Sequence, residues 1–189
     1  SVSADAGQAY GDLETVNGSV SIAAGATVED ASTVNGSITV GDKAQAASLE
    51  TVNGAIRIGK DVQVRNDVET VNGSIFTDRG TNIGGNVDTV NGAIGLVGTQ
   101  LAGGIETVNG DITVGIGSHV KGGIKVEKPR GWSMKPRRDP RIIIGPNAVV
   151  EGPLVFERPV TLYVHTSARI GAVTGATAKP FSTDTAPTE

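Results

Sequence analysis

The sequence predicts an all-β fold, a single-stranded parallel β-helix (β-solenoid) with about 18 residues per triangular coil and roughly nine coils. The main observation is the tetrapeptide Thr-Val-Asn-Gly, repeated at successive intervals of 18, 18, 19, 19 and 18 residues. A short period held over six copies is typical of solenoids, in which each repeat contacts only its neighbours. The copies begin at Thr15, Thr33, Thr51, Thr70, Thr89 and Thr107.

A second observation is the alternation of β-branched residues after each tetrapeptide. Val16, Val20 and Ile22 fall on one face of an extended chain and Asn17 falls on the other, which predicts a short strand. The spacing of three residues from Leu13 to Val16 breaks the alternation and predicts a corner. The chain also has 27 glycines and no long amphipathic helix pattern, so the composition disfavours a helical repeat.

Stacking turns each position of the repeat into a column along the axis. The valine and trailing columns are predicted to line the interior, and the leading position of the repeat is also apolar. The leading column is Leu13, Ala31, Leu49, Val68, Val87 and Ile105. The valine column is Val16, Val34, Val52, Val71, Val90 and Val108. The trailing column is Val20, Ile38, Ile56, Ile75, Ile94 and Ile112.

The asparagines of the repeat are predicted to form a structural ladder of side-chain hydrogen bonds that satisfies polar groups and fixes the register. Asn-Gly also suits left-handed backbone conformations, which asparagine tolerates and glycine adopts without a steric penalty. The ladder residues are Asn17, Asn35, Asn53, Asn72, Asn91 and Asn109.

A single domain is predicted over residues 1–178. It begins with an N-terminal cap at 1–12, in which Tyr10 covers the first coil, and the repeat coils follow over 13–126. A basic, Pro-rich loop is inserted at 127–141, and C-terminal coils with a cap follow over 142–178. The Thr-, Pro- and Ser-rich tail at 179–189 is predicted to be disordered.

Charge divides the chain. Residues 1–120 hold 5 Lys/Arg and 14 Asp/Glu, a net charge of −9, whereas residues 121–141 hold 8 basic and 2 acidic residues, a net charge of +6. Acidic residues recur beside the tetrapeptide, at Glu14, Glu50, Glu69, Asp88 and Glu106. A stacked carboxylate row is a hypothetical Ca²⁺ site, but a solvated face that keeps the rod soluble is the favoured interpretation.

The loop at 127–141 breaks the periodicity and carries the only Trp and Met, so it is the first candidate for a partner-binding element. Its partners are expected to be an anionic glycan, a lipid surface or another protein. Nucleic acid is disfavoured because the chain has a net charge of −4. The alternative, a loop paired with acidic coils of its own or a neighbouring chain, is the favoured interpretation of the basic cluster, because such clusters are signals of low specificity. The candidate residues are Lys128, Arg130, Trp132, Lys135, Arg137, Arg138 and Arg141.

The segment Ile-Gly-Pro-Asn-Ala-Val-Val-Glu-Gly, residues 144–152, resembles bactofilins, which are polymer-forming bacterial cytoskeletal β-helices, and hexapeptide-repeat proteins. The repeated Glu-Thr-Val-Asn-Gly-(Ser/Ala/Asp)-Ile resembles bacterial adhesin-like domains, which are also β-helices and usually exported. The resemblance spans most of residues 13–171. The first family implies self-assembly through coil ends. The second implies a periplasmic or cell-surface location, in keeping with a start of small polar residues like that left by signal-peptide removal.

The expected function is therefore a non-enzymatic, exported structural, adhesion or interaction module without a cofactor or a metal site. A bactofilin-like self-assembling scaffold is the alternative. Weaker alternatives are an acyltransferase using His119 as general base, a carbohydrate-active enzyme using charged residues such as Asp61 and Arg65, and an ice-binding array of Thr15 and Asn17 with their counterparts. A pocket that holds His119 beside a carboxylate would favour an enzyme.

Overall fold

The computed structural model describes residues 1–131 and 138–188, which form three parallel sheets of ten, nine and seven strands. Sheet I contains Val2–Ala4, Val20–Ile22, Ile38–Val40, Ile56–Ile58, Ile75–Thr77, Ile94–Leu96, Ile112–Val114, Arg141–Ile144, Thr161–His165 and Ala178–Phe181. Sheet II contains Leu13–Glu14, Asp30–Ser32, Ser48–Glu50, Val68–Glu69, Val87–Asp88, Ile105–Thr107, Ile124–Val126, Leu154–Phe156 and Val173–Thr174. Sheet III contains Gln45–Ala46, Gln63–Val64, Asn82–Ile83, Gln100–Leu101, His119–Val120, Val149–Val150 and Arg169–Ile170.

Each full coil passes through sheets I, III and II in turn, and the next coil pairs with it in parallel. Ile38 pairs with Ile56 and Ile56 with Ile75, which are steps of 18 and 19 residues. The result is a β-solenoid of about nine coils stacked at about 4.8 Å, and it confirms the predicted fold class. The described residues contain no helix long and apolar enough to cross a membrane.

The trailing column lies inside the solenoid, as predicted, and the leading column also lies inside. Leu49, Val68 and Val87 of sheet II are fully buried, as are Ile38 and Ile56 of sheet I. Because each coil is only a few residues wide on each side, almost every inward side chain contacts its equivalents in the coils above and below. The core is therefore a set of β-branched columns that pin the register.

The prediction that the valine column lines the interior is wrong, because the corner falls at the tetrapeptide itself. At this corner the side-chain alternation of the strand is not continued, so the threonine side chain points inward and the valine side chain points outward. Val16 is 61% exposed, whereas Thr51 is 1% exposed. The Thr51 hydroxyl donates a hydrogen bond of 2.7 Å to the carbonyl of Gly36 in the preceding coil, so the buried threonine is satisfied. Burial of the threonines also removes the surface Thr–Asn array on which an ice-binding interpretation depends.

The predicted left-handed Asn-Gly corner is also wrong for five of the six copies, since only Gly18 has a positive φ, 149°. Space explains the glycine instead. A Cβ on Gly54 would lie 1.9 Å from the carbonyl oxygen of Gly36, and one on Gly73 would lie 1.8 Å from that of Gly54. The corners stack so closely that no side chain fits between them.

Both ends of the chain are more regular than predicted. Val2–Ala4 pairs with Val20–Ile22, so residues 1–12 form part of the first coil, and Tyr10 packs half-buried against the core. At the other end, Ala178–Phe181 pairs with Leu162–His165, and Phe181 is buried. The tail predicted to be disordered thus begins as the last strand of sheet I, because Phe181 packs edge-on against Tyr163 and His165.

Candidate functional site

The basic insertion, residues 127–141, replaces a tetrapeptide corner. It leaves the end of the sheet II strand Ile124–Val126 and returns at the start of the sheet I strand Arg141–Ile144. Ile112 pairs with Ile142, and Val126 with Phe156, so the register continues on both sides. The insertion is therefore an excursion from one corner that leaves the stack intact.

The structure separates the seven residues predicted to bind a partner. Lys128 and Arg130 are exposed at the outgoing side of the insertion, whereas Arg138 and Arg141 at the returning side contact the rod. The remaining three, Trp132, Lys135 and Arg137, lie outside the described residues.

Arg138 anchors the returning side of the basic insertion. Its guanidinium donates two hydrogen bonds to the Asp111 carboxylate, at 3.1 and 2.6 Å, and the Arg141 N–H donates a third at 2.9 Å. Burial raises the pKa of Asp111, but these hydrogen bonds and the charges of Arg138 and Arg141 outweigh burial and hold the pKa below its usual value. This ion pair agrees with the alternative interpretation, in which part of the insertion pairs with an acidic coil of its own chain.

Arg141 takes part in the packing of the C-terminal coils. Its guanidinium lies 5.2 Å from the centre of the Tyr163 ring, and the Lys179 ammonium lies 5.9 Å from the same centre. Cations at these distances are attracted by the ring quadrupole. Arg141 therefore has a structural role in the described part of the chain, and Lys128 and Arg130 remain the described cations best placed for a partner.

The six repeat asparagines form a continuous ladder on the surface of the corner between sheets II and I. From the second asparagine onward, each side-chain amide donates to the side-chain oxygen of the asparagine one coil earlier, in five hydrogen bonds of 2.7 to 3.0 Å. Because every donor points the same way, the amide dipoles align and the ladder is polarised along the axis.

Arg158 ends this ladder, and sequence reasoning missed it. Its guanidinium donates at 2.8 Å to the Asn109 side chain and at 2.8 Å to the carbonyl of Val108. The side chain is 9% exposed, so the charge lies against the last acceptor of the ladder. A single arginine after the last repeat carried no signal in the sequence, because its partners lie about 50 residues away.

A groove runs beside the asparagine ladder on the sheet II side, and it was also missed. We call it the corner groove. One wall is the acidic row Glu14, Glu50, Glu69, Asp88 and Glu106, and the other is the valine row Val16, Val34, Val52, Val71 and Val90. Two cavities that share Glu50 and Val52 make up its length, with volumes of about 520 Å³ toward the N-terminus and about 320 Å³ toward Glu127. The sequence did not predict this groove, because valines placed in the interior could not form its apolar wall.

Like charges are held close together in this groove. Glu50, Glu69, Asp88 and Glu106 occupy successive paired positions of sheet II, one coil apart. Burial, followed by the charges of Glu106, Glu69 and Asp67, raises the pKa of Asp88 to about 7. Burial and the charges of Asp67 and Glu50 also raise the pKa of Glu69. The row therefore favours protons or other cations.

The described residues contain no group of three or more His, Asp or Glu placed to hold a metal ion. The acidic residues form a line instead of converging, because each coil supplies one of them to the same outward column. The residues of the row therefore suit an extended cationic partner better than a single ion.

His119 lies beside a carboxylate, because its Nε2 contacts the Glu151 carboxylate one coil later in the stack. His119 lines neither cavity of the corner groove. It also does not line the grooves at Asn86–Val155 or at Gln63–Lys121. The pair thus has the neighbouring carboxylate that a general base needs and lies outside these four cavities.

The fold and these surfaces define a parallel β-solenoid repeat protein of about nine coils. Comparison with known proteins returns no matching family model, no matching curated protein and no matching solved structure. The surfaces of this molecule are therefore the available indication of its function.

Proposed function

We propose that this protein is a non-enzymatic structural or adhesion module, in which a rigid rod displays the basic insertion to an anionic partner. One observation carries the proposal. The insertion interrupts a corner without disturbing the pairing of Ile112 with Ile142, and it is fixed to the rod through Arg138 and Asp111. A charged segment that the stack does not need, yet holds in place, is suited to contact something outside the rod.

The proposed partner is an anionic glycan, a lipid surface or another protein, and the proposed location is outside the cytoplasm, as in the adhesin-like domains that the repeat resembles. Lys128 and Arg130 are exposed at the base of the insertion. Clustered cations bind anionic polymers in a salt-dependent manner, since association releases counterions or reduces repulsion. The acidic row belongs to the coils that precede the insertion in the stack. Because its carboxylates repel anions, a polyanion is expected to approach the insertion from another side.

Binding to heparin and to phosphatidylglycerol vesicles tests this function. Arg130→Ser, Lys135→Ser and Arg137→Ser together remove three cations and leave the Arg138 anchor. We expect about tenfold weaker binding at low salt. The matched control is Lys60→Ser, Arg79→Ser and Lys121→Ser, which removes the same charge elsewhere on the surface. Equal binding by the two variants would contradict the proposal.

A self-assembling scaffold, as in bactofilins, is a second candidate, and the ends of sheet I favour it. Val2–Ala4 and Ala178–Phe181 are its outermost strands, each with a pairing partner on one side only among the described residues. Unpaired strand edges accept a strand from another molecule. Filaments of uniform width in negative-stain electron microscopy at high protein concentration would favour this candidate, and discrete short rods would contradict it.

A further inference from the structure

The corner groove combines an apolar wall with an acidic wall. Its valine row is a line of exposed apolar side chains, with Val16, Val34, Val71 and Val90 between 37% and 61% exposed. Its acidic row runs parallel to the valines, one carboxylate in most coils. Glu50, Glu69, Asp88 and Glu106 form no ion pair with a described lysine or arginine. A ligand that fits both walls must be elongated, cationic and partly apolar.

The same chain contains a segment with these properties. The basic insertion has six Lys/Arg against Glu127 and Asp139, together with a tryptophan and a methionine. Its net charge of +4 is opposite in sign to the groove, and its apolar side chains suit the valine row. Charge complementarity thus identifies an occupant within the sequence itself.

The insertion cannot reach the far part of the groove of its own rod. Eleven peptide units join Glu127 to Arg138, which is fixed to the rod, and a loop of that length can reach at most about 20 Å from its ends when fully extended. Glu14 lies six coils away from Lys125 in sheet II, about 29 Å along the axis. The end of the cavity lined by Glu14 and Val16 is therefore out of reach of the insertion on the same rod and open to another molecule.

We propose that the basic insertion of one copy binds the N-terminal cavity of the corner groove of a second copy, and that the two rods form an antiparallel dimer. The insertion and this cavity lie on the same corner at opposite ends of the groove. A two-fold axis between them brings each insertion onto the partner's cavity, so that two identical contacts close the assembly at two copies. The inference rests on the proposed function, because it names a partner for the same insertion.

Sedimentation velocity at about 0.05 M and about 1 M NaCl tests the dimer, because the screening length falls from above 10 Å to about 3 Å over this range. We expect the wild-type chain to sediment at twice its mass of 19.2 kDa at low salt and as a monomer at high salt. A wild-type monomer at low salt and high protein concentration would overturn the inference.

Two charge-reversal variants make the test specific. The groove variant is Glu14→Lys with Glu50→Lys, both exposed, and the insertion variant is Lys128→Glu, Arg130→Glu and Lys135→Glu. Each alone should be monomeric, whereas a 1:1 mixture should form heterodimers, since each reversed surface then meets its complement. A mixture that stays monomeric would overturn the inference. Circular dichroism of each variant verifies that the solenoid is folded.

The control for net charge is Glu29→Lys with Glu151→Lys, which are exposed carboxylates outside the corner groove. It should dimerise like the wild type. Heparin binding separates the inference from the proposed function, because the groove variant keeps an intact insertion. A groove variant that binds heparin, together with a wild type that never dimerises, would refute the dimer and leave the proposed function standing. If the wild type dimerises but neither it nor any variant binds heparin, the dimer is supported and binding to a foreign polyanion is refuted.

Discussion

Thr70 and Val71 are neighbours in the chain but occupy opposite environments. Thr70 is 4% exposed, and its hydroxyl donates at 2.9 Å to the carbonyl of Gly54. Val71 is an exposed member of the valine row. An aliphatic residue outside and a hydroxyl inside reverse the usual preference, because the corner carbonyl needs a donor that the backbone does not supply.

Exchanging these two side-chain types should therefore have unequal effects. Thr70→Val keeps the shape but removes the donor, and we expect it to lower the free energy of unfolding by about 1–3 kcal/mol. Val71→Thr changes an exposed group and should alter it by less than about 0.5 kcal/mol. Urea denaturation followed by circular dichroism measures both, and a larger loss for Val71→Thr would contradict the assignment of the inward face.

The raised pKa of Asp88 predicts how the free energy of unfolding changes with pH. Its pKa is raised to about 7 in the folded protein by burial and by Glu106, Glu69 and Asp67, whereas the unfolded value is about 3.8. Between these two pKa values Asp88 is more protonated in the folded state than in the unfolded state. Its contribution to the free energy of unfolding therefore rises as pH falls from 8 to 5. After allowance for solvent screening of a half-exposed group, the gain is about 1–2 kcal/mol.

We expect Asp88→Asn to remove this dependence and to stabilise the protein at pH 8. Thermal unfolding at pH 5 and pH 8 should show a Tm difference that is smaller by roughly 5 °C in the variant than in the wild type. Asp111, whose pKa is lowered from 3.8, contributes little to the difference between pH 5 and pH 8, because its effect on stability changes only at lower pH. An unchanged difference would mean that Asp88 is ionised in the folded protein at pH 7.

At the scale of the element, the corner determines the sequence of the repeat. Threonine satisfies a carbonyl inside, asparagine continues the ladder outside, and glycine allows the corners to stack at the spacing of the strands. Arg158 ends the ladder by donating to Asn109 where the repeats stop. The tetrapeptide is thus conserved from coil to coil because each residue contacts its neighbours in adjacent coils.

Gly73→Ala tests this interpretation of the corner. The added Cβ would lie 1.8 Å from the Gly54 carbonyl oxygen, so we expect a loss of about 3 kcal/mol or more, at the upper end of overpacking effects. Gly11→Ala is the matched control, because nothing lies within 4 Å of its Cβ position and its φ is not positive. Similar stability of the two variants in urea denaturation would contradict a steric role for the corner glycine.

At the scale of the whole molecule, the solenoid tolerates a long excursion because each coil is held by its neighbours on both sides. Pairing of Ile112 with Ile142 and of Val126 with Phe156 shows that the stack continues across the basic insertion. A longer loop adds only a small closure entropy, so its presence has little effect on stability.

Replacing residues 127–140 by Val-Asn-Gly restores the length of an ordinary corner before Arg141. We expect the β-sheet signal in circular dichroism to be retained and Tm to change by less than about 5 °C. The described side-chain contacts of the insertion with the rod, such as the Arg138–Asp111 pair, are exposed and contribute little to stability. The shortened chain should lose heparin binding and dimerisation together. Loss of folded structure would show instead that the insertion is required for the stack.

Much of the architecture followed from the sequence. The period of 18 to 19 residues, the trailing isoleucines and the asparagine column predicted the coil, the inward face and the ladder, because identical residues at a fixed period must stack in a solenoid. The position of the basic insertion was also clear, since its composition interrupts a regular pattern. Of its seven candidate residues, Arg138 and Arg141 proved to contact the rod, and nothing in the sequence distinguishes them from Lys128 and Arg130.

The sequence by itself determined which residues recur, and therefore which residues lie above one another. The direction in which each side chain points at the corner was decided only by the tertiary structure. Strand alternation places Val34 inside and Thr33 outside, but the structure buries Thr33 and exposes Val34. The backbone turns between them, and a turn does not preserve the alternation of a strand. The corner groove and the Arg158 cap follow from that turn and from contacts between coils, since both depend on where separate coils meet in space.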